Sequence, residues 1–135
     1  ESPFFWGWFV SNMFDYGAAT RTWSEGIGLD DRGLVTFDRK YRKDAFYFYK
    51  ANWNSSEPMV YIAERRWNER SKPKQNIRVY SNAAEVELWV NGVSIGKKQG
   101  VNGIFLWENV ELRKGVNNLE ARADMCWDQA LITIH

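Results

Sequence analysis

From residue 58 onward, apolar side chains recur at every second position in short segments set between turn residues, and this period restricts the chain more than any other feature. The segments are Met59 to Ala63, Ile77 to Tyr80, Glu85 to Val90, Val93 to Lys97, Ile104 to Trp107, Asn118 to Ala123 and Ala130 to Ile134. Such spacing predicts a sandwich of about seven strands, each with one face in the core. In Glu85–Val90 the alternation turns Val86, Leu88 and Val90 inward and Trp89 outward. Asn91-Gly92 then supplies the positive φ values of a tight type I′ turn into Val93. Asn102-Gly103 and Lys114-Gly115 punctuate the later strands.

The N-terminal part follows a different pattern. Residues 3–16, PFFWGWFVSNMFDY, form an aromatic run with almost no alternation, which predicts an interior strand buried on both faces. Residues 17–37 are rich in turn formers, with Gly17, Gly26, Gly28 and Gly33. Asp38 is a candidate cap for a helix over 39–52, where Tyr41, Ala45, Phe48 and Asn52 recur at helical spacing. The expected organisation is therefore a strand, loop and helix over 1–53, a linker over 54–57, and a β-sandwich over 58–135. One strand and one helix bury too little surface to offset chain entropy of about 1–2 kcal/mol per residue. They read as one βα unit of a parallel α/β fold whose other units lie elsewhere.

Composition narrows the chemistry. The formal charge is +1, so no overall field recommends nucleic acid or an anionic membrane. Arg65, Arg66, Arg70, Lys72 and Lys74 around Trp67 therefore read as a solvated basic loop. One cysteine, Cys126, excludes an internal disulfide, and with His135 the only histidine, no zinc cluster or other metal site is expected. No stretch reaches the ~18 apolar residues of a membrane helix. The chain begins at Glu1, which suggests a piece of a longer protein. Its most unusual entry is aromatic: 16% Phe, Trp and Tyr, with eight Trp.

Three blocks carry a resemblance: Trp6-Gly7-Trp8-Phe9-Val10-Ser11-Asn12-Met13-Phe14-Asp15, then Gly28-Leu29-Asp30-Asp31-Arg32-Gly33-Leu34-Val35-Thr36-Phe37-Asp38-Arg39-Lys40, then Lys43 to Trp53. Together they resemble the end of the catalytic barrel of glycoside hydrolase family 2 β-galactosidases. Pro58-Met59-Val60-Tyr61-Ile62, Val79-Tyr80-Ser81-Asn82, Val86-Glu87-Leu88 and Val90-Asn91-Gly92 resemble the domain that follows it. The resemblance implies an immunoglobulin-like β-sandwich preceded by a remnant βα unit of a (β/α)8 barrel. It implies a parent enzyme that hydrolyses β-galactosides with two glutamates about 5–5.5 Å apart. Both would lie before Glu1, so this chain is expected to contain no catalytic residue and no cofactor, and to be structural by itself.

Barrel active sites lie at the C-terminal ends of strands, so Trp8, Ser11, Asn12 and Asp15 are the expected contributors to the parent's sugar pocket. Ser11 departs from the pattern, standing where family members commonly carry a second Trp. The family's N-D-K-G-L-V likewise reads Asp30-Asp31-Arg32-Gly33-Leu34-Val35 here. Trp89, on the outward face, is either a sugar platform or an old interdomain contact. The expected partners are the rest of the parent chain and a galactoside, with self-association through exposed aromatics, and neither nucleic acid nor membrane. A periplasmic or secreted parent is favoured over a cytoplasmic one. The competing reading is a non-catalytic carbohydrate-binding or interaction sandwich.

Overall fold

A computed structural model describes residues 9–20 and 28–135. The chain divides into two compact units, residues 1–46 and 47–135.

In the first unit the described elements are short. Strand β1 (Tyr16–Gly17) pairs antiparallel with β2 (Leu29–Asp30), and Phe14 bridges Val35 in parallel. The amides of Leu34 and Val35 both donate to the Met13 carbonyl, and Asp15 N donates to Val35 O. Gly33 is required at this crossing: a Cβ there would stand 2.3 Å from the backbone of Phe14 and Asp15. The interior strand expected over residues 3–16 is not continuous among its described residues. Phe9 is 95% exposed, and Met13, Phe14 and Tyr16 are also exposed. Phe4, Phe5, Trp6 and Trp8 of the expected strand lie outside the described residues.

Helix α1 runs over Asp44–Trp53, starting later than the periodicity predicts. Asp38 does not cap it. Its carboxylate accepts from Thr36 Oγ1 and Lys40 N, closing a local turn, and Arg39 has φ 61°. That left-handed residue interrupts any helix begun at 39.

The second unit is a β-sandwich of a three-stranded and a five-stranded sheet. Strands β3 (Val60–Ile62), β5 (Lys74–Ser81) and β8 (Ile104–Glu111) form the smaller sheet, in the order β3-β5-β8. The larger has the order β4-β10-β9-β6-β7, from β4 (Glu69–Arg70), β10 (Trp127–Ile134), β9 (Gly115–Arg122), β6 (Glu85–Val90) and β7 (Val93–Gln99). Strands β5, β6, β8, β9 and β10 follow the expected alternation. Strand β7 does not, being exposed along nearly its whole length because it is the sheet's edge, so the inner face expected of Val93 to Lys97 is absent. The polar sequence around Arg70 conceals β4, which pairs parallel to β10. Asn91 and Gly92, at φ 51° and 80°, make the β6–β7 hairpin turn as expected.

The core is built from both inner faces. Ile77, Val79, Phe105 and Trp107 meet Val86, Leu88, Leu119, Ala121 and Ile132. Within this unit, α1 packs on a satellite cluster of Ala51, Met59, Tyr61 and Ala63. Tyr47 stacks on Tyr61 with ring centroids 3.6 Å apart, and Phe48 meets Tyr80 edge-on. Arg70 is buried, contrary to the reading of its segment as a solvated basic loop. It donates to Gln75 Oε1 at 2.9 Å and to the carbonyls of Trp67 and Glu64.

Candidate functional site

Two surfaces bring chemically competent side chains together, one in each unit. In the first, backbone pairing at 13–17 and 29–35 places two acidic side chains inside a small sheet. Asp15 Oδ1 accepts from Lys43 Nζ at 2.7 Å and from Gly33 N at 2.9 Å. The same ammonium reaches Asp31 O at 2.5 Å. Asp30, also buried, accepts from Arg32 through Nε at 3.0 Å and Nη2 at 2.7 Å, and from Tyr16 Oη at 3.1 Å. This fork–fork geometry is the strong form of the carboxylate–guanidinium pair.

The Arg32 hydrogen bonds hold the Asp30 carboxyl well below the usual carboxylate range, with help from Tyr16. A carboxyl depressed in the folded state contributes stability that is complete above its unfolded pKa, about 3.9, and that is lost as pH falls toward the folded value. Acid melts between pH 5 and 2 should therefore show Asp30→Asn with a flatter pH dependence below about pH 4 than the unaltered chain. An unchanged slope would show that the pair carries no proton linkage.

An open depression of about 480 Å3 lies on this unit, lined by Ser11, Asn12, Met13, Phe14, Asp15, Tyr16, Phe37 and Arg39. Three of the sequence-predicted site residues thus meet on one concave surface: Ser11 exposed, Asn12 half-buried and Asp15 buried. Trp8 lies outside the described residues. The Arg39 guanidinium sits 4.6 Å from the Phe14 ring centroid, a cation–π contact at the rim.

The second surface is the outer face of the five-stranded sheet. Trp89 is there, as alternation predicts, and the Arg122 guanidinium covers its ring at 4.7 Å. Its Nε1 is shielded from solvent and, among the described residues, has no acceptor in hydrogen-bonding geometry. Register places Trp89 beside Glu120 and Glu87 beside Arg122, and aligns Trp127 with Arg122 across β9 and β10. Sequence reasoning missed Asn118, Glu120, Arg122, Trp127 and Gln129. The only signal was their alternation with the buried residues of β9 and β10. Among the described residues, no group of three or more His, Cys, Asp or Glu could hold a metal ion, and no helix is long and apolar enough to cross a membrane.

A β-glucuronidase of Bacteroides fragilis is 57% identical over 118 residues, which span 87% of this chain and 17% of that protein. The chain resembles part of a family 2 glycoside hydrolase. A solved FMN-binding β-glucuronidase from Facaelibacterium prausnitzii L2-6 superposes with a TM-score of 0.85 at 41% identity, over 93% of this chain and 19% of that one. A β-galactosidase of Bacteroides ovatus is 26% identical over 126 residues, 90% of this chain and 14% of that protein. The model of a domain of unknown function, DUF4982, matches residues 73–124, within the sandwich. The chain therefore spans less than a fifth of the length of these glycosidase relatives, which include β-glucuronidases as well as a β-galactosidase.

Proposed function

We propose that this chain is part of a larger family 2 glycoside hydrolase that removes a terminal β-linked sugar, and that its own contribution is architectural. The observation carrying this reading is the 57% identity to the Bacteroides fragilis β-glucuronidase across 87% of the chain. It favours a β-glucuronide as the parent's substrate. The β-galactoside suggested by the sequence blocks is the second reading, supported by the Bacteroides ovatus relative. In this proposal residues 1–53 are the last βα unit of the barrel, 54–57 a linker and 58–135 an immunoglobulin-like sandwich.

The acids of the first unit support an accessory role. A retaining glycosidase needs one carboxylate free to attack and another able to donate a proton. Asp15 is tied to Lys43, and Asp30 to Arg32, in ion pairs that fix both as struts. Asp38 is engaged by Thr36 and Lys40. We place the catalytic pair on other segments of the parent, and Ser11, Asn12 and Asp15 on the wall of its sugar pocket. The exposed Phe9, Met13, Phe14, Phe37 and Tyr41 fit surfaces meant for neighbouring barrel elements.

The test compares the 135-residue chain with the full parent on 4-nitrophenyl β-glucuronide and 4-nitrophenyl β-galactoside. The parent should turn over the glucuronide with the higher kcat/KM, and the chain alone should turn over neither. Hydrolysis by the chain alone, or a parent inert toward both, would overturn the proposal.

A further inference from the structure

The outer face of the five-stranded sheet has the construction of a carbohydrate platform. Trp127 stands at one end with 65% of its surface exposed, beside an open depression of about 520 Å3 that it lines with Met125 and Asp124. Beside it an ordered chain of planar polar groups runs along β9, joined by Gln129 from β10. Gln129 Nε2 donates to Asn118 Oδ1 at 2.7 Å, Asn118 Nδ2 to Glu120 Oε1 at 3.0 Å, and Arg122 Nη2 to Glu120 Oε2 at 2.6 Å. Arg122 is held from below by its stacking on Trp89. These side chains come from three adjacent strands, and their mutual bonds fix the rotamers before any ligand arrives.

We propose that this face binds a neutral oligosaccharide, with one pyranose ring stacked on Trp127 and its hydroxyls bonded to the Gln129–Asn118–Glu120 array. An aromatic face accepts the C–H side of a pyranose, while carboxylate and amide groups take its hydroxyls. A depression of this size lies within the usual range of small-ligand sites, about 300–1,000 Å3. Charge selects the neutral class. Glu85, Glu87 and Asp124 lie around Lys97, and Glu87 and Glu120 around Arg122, and both cations are already in ion pairs, with Glu85 and Glu120. A uronate would enter a field of its own sign. This inference does not depend on the hydrolytic reading, since it concerns binding by the sandwich without turnover.

Isothermal titration of the 135-residue chain tests it, with β-1,4-galactotetraose and cellotetraose as neutral probes and a tetragalacturonate as the acidic one. At least one neutral probe should bind with a millimolar or tighter Kd, and the acidic probe at least about tenfold more weakly. Trp127→Ala should weaken neutral binding tenfold or more, and Gln129→Ala, at an exposed position that the core does not use, about threefold or more. Should Trp127→Ala fail to fold, Gln129→Ala decides alone. Absence of neutral binding at millimolar concentration, equal binding by the Gln129 variant, or preference for the uronate would each overturn the proposal.

Discussion

Asn117→Asp is expected to be the most damaging conservative substitution in the sandwich, costing about 3–5 kcal/mol at neutral pH. Asn117 is fully buried, at 0% exposure, and uses both ends of its amide. Its Nδ2 donates to the carbonyls of Arg113 at 2.8 Å and Gly115 at 3.0 Å, while Oδ1 accepts from Arg113 N at 3.0 Å and Asn91 Nδ2 at 2.9 Å. One side chain thereby closes the β8–β9 turn and joins it to the β6–β7 hairpin. Aspartate would set an oxygen against the carbonyl oxygens of Arg113, Gly115 and Ile132 and bury a charge whose bonded groups are neutral backbone and amide groups. The new carboxyl is pushed upward by burial, so the sign follows: the variant should lose stability as pH rises from about 4, and be least impaired in acid. Thermal melts followed by circular dichroism should show a drop of at least about 12 °C at pH 7.5, shrinking at pH 4.5. Asn118→Asp, one residue away on the outer face, should shift the melt by only a few degrees. Equal effects at the two positions would show that the amide's two-ended bonding is not what the turn requires.

The contrast between neighbouring asparagines also explains what the sequence could show. Strands β5, β6 and β8 to β10 are legible because each has one wet and one dry face, and period two records that directly. Strand β4 is invisible locally. Its two residues, Glu69 and Arg70, are polar, and they form a strand only because β10 lies alongside, with Thr133 N reaching Asn68 O. Arg70 belongs among basic residues that read as solvated, yet three acceptors draw it inside. Burial pulls its guanidinium below the ordinary arginine value, and those acceptors make the position tenable. The helix starts later than its periodicity predicts for a related reason: Asp38 has a capping side chain, but nearby Thr36 and Lys40 engage it in a local turn. At the candidate sites, the outward position of Trp89 was readable from alternation. Its association with Arg122, more than thirty positions later, was not, because strand register is set by the whole sheet and not by either segment.

The first unit should be equally sensitive to its ion pair at Asp15 and Lys43. Asp15→Ala removes the carboxylate acceptor of the Lys43 ammonium and the acceptor of the Gly33 amide, leaving a cation with 24% of its side chain exposed and only a neutral carbonyl, Asp31 O, in place of its counter-charge. Lys43→Met makes the opposite error, leaving a carboxylate whose side chain is only 5% exposed without its cation. Breaking one side of such a pair costs about 3–5 kcal/mol when fully buried, and partial access of Lys43 to water brings the expectation for Asp15→Ala to about 2–4 kcal/mol. Lys43→Met should be the worse of the two, because its stranded charge is the deeper one. Amide hydrogen exchange gives the readout. The amides of Asp15, Leu34 and Val35, which carry the pairing of this unit, should lose protection by about 30-fold or more, while those of β9 and β10 keep theirs. The double variant Asp15→Ala with Lys43→Met should recover part of the loss, since neither charge is then stranded. A sandwich that opens together with the first unit would contradict the division at residue 46. Single variants no worse than the double would show that Asp15 and Lys43 act separately, and would reopen the Asp15 carboxylate for a role other than that of a strut.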